Sequence, residues 1–390
     1  MPDHTATASP SQAPVTVRPV ETKQDKTNFI RLWRTVYAGA PEYIPPLEFE
    51  IGERLDASKN PVLQDNDHQL WLATRGDEVV GRISAIVNRT HLAKYDDATG
   101  HFGFIEGVDD ENVFSALYSA AEDWLRARGM KRIAGPYSFS VNEECGMLID
   151  GFESAPFVLM PHGRPWFQKH TEALGYAKAS DRFALIYANE KQFIPEKRQR
   201  FVEKALSSDR VSIRNIEMKN FAADIKTIVN IYNDAWSENW GSVPLSDAQA
   251  EHMASELRLI IDQKNVVICY YDGEPAAFGI VLPNINEAIA DFEGKLFPFN
   301  WARLVWKLKV RGVRSSRMPL MGVVKRLQRK PVGTAFAYKI IDMVNSHNIE
   351  TGIRQSELSW ILETNPSMLN MLTDMGGKIY KTYRIYEKEL

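Results

Sequence analysis

The order of predicted strands and helices occurs twice along the chain, and this repeat is the feature that most restricts the fold. Each half contains a strand, one or two helices, a hairpin with a short polar turn, a further strand, a helix, and then a strand, a helix and a closing strand. The hairpin turns are Gly76-Asp77 and Asp272-Gly273. Such mixing predicts an α/β fold of two fused domains, each a mixed twisted sheet with helices on both faces.

The length of the chain agrees with this organisation. It has 390 residues, whereas single hydrophobic cores stop growing beyond roughly 250 to 300 residues. We expect a disordered tail at 1–14, an N-terminal domain at 15–190, a connector helix within 191–210 and a C-terminal domain at 211–390. The tail is rich in Thr, Ala, Ser and Pro and has no apolar periodicity, which is typical of disorder and does not fit a signal peptide.

Composition restricts the environment and the partners. Cys145 and Cys269 are the only cysteines, they have no metal-ligand spacing, and a reducing cytoplasm suits them. We therefore expect no bound metal. No window reaches the roughly 18 to 20 apolar residues of a membrane span, so any membrane contact is predicted to be peripheral. The net charge of −3 gives no general attraction to nucleic acid, so no nucleic-acid partner is expected.

A glycine-containing turn in the C-terminal half is the first candidate for chemistry. It lies between a predicted strand, Leu320 to Val324, and a predicted helix that begins at Gly333. Glycine at a helix start lets the backbone approach a ligand closely, and the free N–H groups and the positive end of the helix dipole bind phosphate. Lys330 and the neighbouring arginines add positive charge. Plain helix capping is the alternative interpretation.

The stretch Val323 to Ala335 resembles the signature of the GNAT acyltransferases, a strand followed by Gln/Arg-x-x-Gly-x-Gly/Ala, with Lys330 in the leading position. The order of elements in the C-terminal half resembles that family as well. The resemblance implies an acyl-CoA co-substrate in the C-terminal domain. The residues expected to bind it are Val323, Val324, Lys325, Lys330, Val332, Gly333, Thr334 and Asn365, where Asn365 has a simple helix cap as its alternative.

Carboxylates on the next strand are the candidates for the general base. Alternation places Glu357 and Glu363 on one face, opposite an apolar face. Amine acylation requires that an ammonium lose a proton before its nitrogen attacks a thioester, and a desolvated carboxylate can accept that proton. Pairing with arginine or with a helix N-terminus is the alternative. GNAT enzymes often use a tyrosine as general acid, usually from the preceding helix, which has none here; Tyr383 is the candidate, and sheet packing is its alternative.

The N-terminal half differs from the signature. Asp109, Asp110 and Glu111 occupy the junction where phosphates would bind, and like charges there should repel CoA, so this domain is expected to be degenerate for the co-substrate. Its loop Gly135 to Gly146 contains Asn142 and Glu144, which could hydrogen-bond a polar head group of the acceptor. A purely structural turn is the alternative.

A basic segment suggests the class of substrate. From Leu296 to Val313, aromatic and aliphatic residues including Trp301 alternate with four Lys and Arg residues and no acidic residue. This combination suits an anionic membrane surface, and Trp301 is a candidate for substrate binding. A helix packed between domains, or cations that surround the CoA phosphates, are the alternatives.

The chain as a whole is similar to a bacterial family of about this length. The strings that carry this resemblance are Tyr43 to Leu47, Gly135 to Tyr137, Asn142 to Glu144, Gly151-Phe152, Asn239 to Gly241 and Glu357 to Glu363. It also looks similar to the bacterial ceramide synthases, which transfer a long acyl chain from CoA to a sphingoid base. The resemblance implies a lipid amine as acceptor. A small-molecule acetyltransferase and a non-catalytic tandem binding protein remain the alternatives.

Overall fold

The computed structural model describes residues 13–191, 194–258 and 260–390. The predicted tail at 1–14 therefore lies almost entirely outside the described residues. The chain divides into two compact units. The N-terminal unit contains the described residues up to Glu153, together with Pro161–Ala179 and Arg384–Leu390, and the C-terminal unit contains Ser154–Met160 and the described part of Ser180–Tyr383.

The N-terminal unit is an α/β structure around one sheet. Its strands run in the order β1-β2-β3-β4-β5, and every neighbouring pair is antiparallel except β4 and β5, which are parallel. The strands are β1 Val15–Pro19, β2 Asp67–Arg75, β3 Glu78–Val87, β4 Thr99–Gly107, β5 Arg132–Gly135 and β6 Met147–Asp150. The helices are α1 Lys23–Arg31, α2 Trp33–Val36, α3 Glu48–Arg54, α4 Pro61–Gln64, α5 Arg89–Tyr95, α6 Glu111–Arg126 and α7 Pro165–Ala173.

The C-terminal unit repeats this plan. Its sheet includes the last residues of β7 Ala177–Ala188, and its strands run in the order β8-β9-β10-β11-β12-β7, with β11 and β12 as the parallel pair. The other strands are β8 Val211–Asn215, β9 Val266–Tyr271, β10 Glu274–Pro283, β11 Ser315–Val323, β12 Gln355–Leu362 and β13 Lys378–Glu389. The helices are α8 Glu196–Leu206, α9 Phe221–Trp236, α10 Asp247–Leu257, α11 Ile285–Ile289, α12 Asn300–Trp306, α13 Lys325–Gln328, α14 Pro331–Glu350 and α15 Pro366–Asp374.

Local sequence explains how these elements begin and turn. The β9–β10 hairpin turns at Asp272 and Gly273, both with positive φ, which is the backbone that a two-residue turn needs to match the twist of its strands. Each unit has its own buried core. The apolar faces of α6 in the N-terminal unit and of α14 in the C-terminal unit contribute to these cores. The repeat in the sequence therefore corresponds to two similar folding units.

Two segments do not follow the predicted domain boundaries at residues 190 and 211. Ser154–Met160 belongs to the C-terminal unit, and Arg384–Leu390 belongs to the N-terminal unit, where Tyr386 to Glu389 pair antiparallel with β5. Local periodicity shows that a segment is a strand but does not reveal which distant strand it pairs with. The helix predicted to begin at Gly333 also begins earlier, at Pro331, because proline is well suited to the first position of a helix.

Candidate functional site

A buried ion pair links the two parallel strands of the C-terminal unit. Arg317 on β11 and Glu357 on β12 are register partners, and Nε of Arg317 lies 3.3 Å from Oε1 of Glu357. The two side chains are 1% and 0% exposed. Charges removed from water to this extent are stable only when they are paired and hydrogen-bonded, so the two residues depend on each other.

Two hydroxyl groups complete the surroundings of Glu357. Ser359 donates a hydrogen bond of 2.6 Å to Oε1 of Glu357, and the Tyr380 hydroxyl donates to Oε2. Burial, together with the charge of Glu357, raises the pKa of Tyr380 well above its usual range, so this phenol keeps its proton. We call Arg317, Glu357, Ser359 and Tyr380 the Glu357 cluster.

Arg317 is held in place by contacts on several sides. Its Nε donates to Oγ of Ser359 at 2.8 Å, and Nη1 donates to the carbonyl oxygens of Val158 at 2.9 Å and Leu159 at 3.2 Å. The guanidinium also lies over the ring of Trp360, 4.8 Å from its centroid. The cation is therefore fixed in position, and with it the carboxylate that it faces.

The parallel strands separate immediately beyond this cluster. Among the described residues, β11 and β12 pair only from Ser315 to Met318 and from Gln355 to Leu358, although both strands continue for several residues. Pro319 follows the last paired residue of β11, and proline has no N–H to donate to a neighbouring strand. Next to these residues, the pairing of β11 with β10 and the pairing of β12 with β7 each contain a register shift. The pairing of the two strands therefore stops beside the Glu357 cluster, and we call the unpaired stretch beyond it the opening.

The start of α14 is the second part of the candidate site. This helix has 20 residues, and its N-cap residue, Lys330, makes no side-chain capping hydrogen bond. The N–H groups of Gly333 and Thr334 donate to the carbonyl oxygen of Lys330, at 3.0 and 3.3 Å, and are not unpaired as the sequence suggested. Val332 and Gly333 are buried, whereas Lys330 and Thr334 are exposed.

Gly333 has a structural role in this turn. A Cβ atom at this position would lie 2.1 Å from the carbonyl oxygen of Leu327, which is far closer than atoms can approach. Glycine is therefore required because helix α14 packs against the backbone of α13. From the sequence, we expected the missing side chain to let a ligand approach the backbone. In the structure, the missing side chain lets α13 approach instead.

Positive charge is concentrated around this helix start. Within the described chain, Arg329 and Lys330 are exposed and form no direct ion pair, whereas Lys325 pairs with Glu238 at 2.8 Å. Lys325 lowers the pKa of Glu238, and the charge of Arg329 contributes to this effect to a smaller extent. The N–H of Lys325 donates to Asp234 at 2.7 Å. Val323 and Val324 lead from β11 into this turn, and the N–H of Val324 bonds to Ala276. Arg329 and Lys330 thus remain available to bind an anion.

The corresponding helix of the N-terminal unit is occupied by its own carboxylate. Asp110 is the N-cap of α6, where its side chain accepts from the N–H of Asn112 at 2.9 Å, and it also pairs with Arg75. A carboxylate at this position takes the place that a phosphate would need. The contrast with the uncapped, basic start of α14 supports the prediction that the C-terminal unit binds the co-substrate.

Three other predicted residues of the C-terminal unit lie in different surroundings. Tyr383 is fully buried. Glu363 is partly exposed and accepts from the N–H of Asp181 at 2.9 Å. Asn365 caps α15, where its side chain accepts a hydrogen bond from the N–H of Met368 at 3.1 Å. This is the helix cap that the sequence offered as the alternative to CoA binding. Of the predicted catalytic residues, Glu357 is the one at the opening between β11 and β12.

The predicted acceptor residues of the N-terminal unit are part of a polar network. Glu144 pairs with the partly buried Arg54 at 3.1 Å, and the N–H of Asn142 donates to Oγ of Ser140 at 3.2 Å. Trp301, in the C-terminal unit, is 52% exposed on the surface. Among the described residues, no group of three or more His, Cys, Asp or Glu side chains could hold a metal ion.

The sequence did not identify Glu106, a partly buried carboxylate in the N-terminal unit. Glu106 on β4 pairs with Arg82 at 2.7 Å and accepts a hydrogen bond of 3.1 Å from the Tyr37 hydroxyl. Burial raises the pKa of Glu106, and Arg82 and Tyr37 oppose that rise. The sequence signal that could have identified Glu106 is a charged residue that directly follows apolar residues of β4.

Comparison with known proteins places these features in context. No family model matches the chain. The chain is 42% identical to the bacterial ceramide synthase of Caulobacter vibrioides over 97% of its own length and 99% of that protein, and 41% identical to protein YghO of Escherichia coli over 96% and 95%.

Solved structures agree on the fold. A tandem GNAT protein from the clavulanic acid pathway superposes with a TM-score of 0.54 at 12% identity and covers 96% of this chain and 98% of its own. A GCN5-related N-acetyltransferase from Sphaerobacter thermophilus superposes with a TM-score of 0.55 at 12% identity and covers 97% of each chain. The predicted architecture of two fused GNAT-like domains is confirmed.

Proposed function

The chain belongs to the family that contains the bacterial ceramide synthase of Caulobacter vibrioides, and on that premise we propose that it is an acyl-CoA-dependent N-acyltransferase. The proposed reaction moves an acyl group from the thioester of CoA to an amine and releases the free thiol. The proposed acceptor is a lipid amine such as a sphingoid base. The observation that carries the proposal is the opening between β11 and β12 beside the Glu357 cluster.

In this proposal the start of α14 binds the phosphates of CoA. The positive end of the helix dipole and the charges of Lys330 and Arg329 attract the diphosphate. Thr334 is exposed on the first turn and can contribute its hydroxyl. The remaining residues assigned to the CoA arm are Val323, Val324, Lys325, Val332, Gly333 and Asn365, with Gly333 acting through the shape of the turn.

Tyr380 is the proposed contact between Glu357 and the amine. Both oxygens of Glu357 already accept hydrogen bonds, so a proton reaches this carboxylate by way of the Tyr380 hydroxyl. The amine reacts in its neutral form, after its ammonium has released one proton to solvent. When the nitrogen bonds to the acyl carbon, its proton passes to the Tyr380 oxygen while the proton of Tyr380 passes to Glu357. The reverse transfer then protonates the departing thiolate, which leaves as the thiol, and the ion pair of Glu357 with Arg317 is restored.

Glu363 is the alternative base in the same proposal. It is partly exposed, so an amine could transfer its proton directly to this carboxylate. Tyr383 is fully buried, and Tyr380 replaces it as the proposed acid toward the thiolate. Separate Glu357→Gln and Glu363→Gln variants distinguish the two routes. Only the variant that lacks the true base should lose turnover while it still binds CoA.

A lipid acceptor would impose two further requirements. Its polar head needs hydrogen-bonding groups, for which Asn142 and Glu144 are the proposed residues of the N-terminal unit. A sphingoid base also partitions into bilayers, so the protein must meet a membrane to reach it. No helix of the described chain is long and apolar enough to cross a bilayer.

The test uses the full-length protein with palmitoyl-CoA and sphinganine. We expect thiol release that requires the amine, together with an N-acyl product of matching mass, and little turnover of acetyl-CoA. The Glu357→Gln variant should lose turnover but bind CoA normally, whereas Glu196→Gln, which alters an exposed pair with Arg200, should behave as wild type. Efficient use of acetyl-CoA alone would reject the long-chain proposal, and CoA binding without turnover of any donor would indicate a binding protein.

A further inference from the structure

The most exposed large apolar side chains are concentrated in one short segment. Of the eight such side chains in the described part of the chain, six lie between residues 297 and 310. They are Phe297, Phe299, Trp301, Val305, Trp306 and Val310, with exposed fractions of 62, 77, 52, 53, 54 and 70%. An exposed apolar cluster of this kind marks a surface that binds something.

The segment is anchored to the protein through one face of α12. Arg303 and Lys307 lie one turn apart, and both pair with Asp291, at 2.6 and 2.5 Å. The same two cations lie near the ring of Phe292, 5.2 and 4.9 Å from its centroid. At 100° per residue, Trp301 and Val305 lie on the opposite face of the helix. Trp301 and Val305 are therefore held outward by contacts on the other side of the helix.

Positive charge is interspersed with these apolar side chains. The segment from Leu296 to Val313 contains Arg303, Lys307, Lys309 and Arg311 and no acidic residue. Two of these cations are paired with Asp291, whereas Lys309 and Arg311 are exposed and have no carboxylate partner among the described residues. Free lysine among exposed apolar residues disfavours a protein partner, because the centre of a protein–protein interface is depleted of lysine.

We propose that the segment from Leu296 to Val313 binds the surface of a bilayer that contains anionic phospholipids. The rings and valines insert at the level of the head groups, and Lys309 and Arg311 bind the phosphates. The segment lies in the plane of the membrane. This proposal goes beyond acyl transfer, because it concerns where the protein binds and holds whether or not the lipid amine is the acceptor.

The experiment measures binding of the full-length protein to vesicles of phosphatidylglycerol and phosphatidylethanolamine by sedimentation, with pure phosphatidylcholine vesicles for comparison. We expect binding to the anionic vesicles that weakens in high salt. Replacing apolar contacts in Phe299→Ser/Trp306→Ser/Val310→Ser should weaken binding by roughly a hundredfold. Lys309→Gln/Arg311→Gln should weaken it by roughly thirtyfold and remove the preference for anionic lipid.

The control variant Phe49→Ser/Ile379→Ser removes the two exposed large apolar side chains that the described residues contain outside the segment, and it should bind as wild type. Circular dichroism and CoA titration in solution verify that each variant is folded, and they separate a failure of membrane binding from a failure of the proposed reaction. Absence of wild-type binding to anionic vesicles would overturn the proposal, as would equal loss in the control variant. A dimer that the triple substitution dissociates, without vesicle binding, would instead assign the surface to a second copy of the chain.

Discussion

Arg317 and Glu357 occupy the same register on neighbouring parallel strands, and their side chains form an ion pair from which water is excluded. The pair lies one residue before the strands separate, with Pro319 close behind it. Desolvation of two charges is costly, and the contacts to Ser359, Tyr380 and the carbonyl oxygen of Val158 offset that cost. Both the stability and the proposed chemistry of the C-terminal unit therefore depend on this pair.

Removal of Arg317 should strongly destabilise the protein. The Arg317→Met variant leaves Glu357 buried without its cation, which we expect to lower the free energy of unfolding by about 3 to 5 kcal/mol. Urea denaturation at pH 7 measures the change. The matched control, Arg326→Met, removes an exposed pair with Glu274 and should cost less than about 1 kcal/mol. Equal losses in the two variants would contradict the role of the buried pair.

Tyr380 should matter for turnover more than Tyr383 does. The Tyr380→Phe variant removes the hydroxyl that donates to Glu357, and loss of a proton-transfer group should lower kcat about a hundredfold or more with little change in KM for the acyl donor. Initial rates of thiol release measure this. Tyr383→Phe, on the same strand, should retain most of the activity. A kcat for Tyr380→Phe close to that of wild type would exclude the proposed relay.

The two helix starts should respond differently to neutralisation of charge. Lys330→Gln/Arg329→Gln should weaken CoA binding about tenfold or more, because both exposed cations lose their charge near the proposed diphosphate. Asp110→Ala in the N-terminal unit removes a helix cap and should cost about 1 kcal/mol of stability without a change in the Kd for CoA. Calorimetric titration and urea denaturation measure both effects. An altered CoA affinity only in Asp110→Ala would reverse the assignment of the two units.

Acid should destabilise the N-terminal unit through His101. Its ring packs against His91 and Tyr137, and burial, assisted by His91 and opposed by Asp97, lowers the pKa of His101 to about 3. Because the unfolded imidazole binds a proton near pH 6.5, the contribution to stability is present above that pH and is lost as the pH falls toward 3. Between pH 6.5 and 5 the loss is about 2 kcal/mol.

The measurement is urea denaturation at pH 7 and at pH 5. The His101→Phe variant should show a smaller pH difference than wild type, whatever its absolute stability. His252, which is partly exposed beside Glu256, serves as the control position, and His252→Phe should leave the pH difference unchanged. If His101→Phe keeps the full difference, other groups cause the acid sensitivity.

Much of the fold could be predicted because it is encoded locally. The two hairpins with their turns, the helix Glu111–Arg126 and the order of elements in both halves follow from alternation, helical periodicity and glycine positions. The pairing of Tyr386 to Glu389 with β5 could not be predicted, because the two segments lie more than 240 residues apart and neither identifies the other.

The candidate site was predicted only in part. Arg317 was missed because the strand was expected to begin at Leu320, whereas β11 begins at Ser315 and the arginine lies within it. The sequence favoured Tyr383 among the tyrosines of β13, yet Tyr380 is the one whose hydroxyl contacts Glu357. Strand alternation separates these two positions onto opposite faces but does not reveal which face meets Glu357.

The assignment of Arg384–Leu390 to the N-terminal unit has a consequence for biosynthesis. A ribosome makes residues in order, so the unit that emerges first still lacks its last strand segment until the other unit has been synthesised through Tyr383. The N-terminal unit can therefore complete its sheet only after Arg384–Leu390 has emerged. A gene split between the two halves would deprive the N-terminal fragment of its final β-strand and leave the edge of β5 exposed to aggregation.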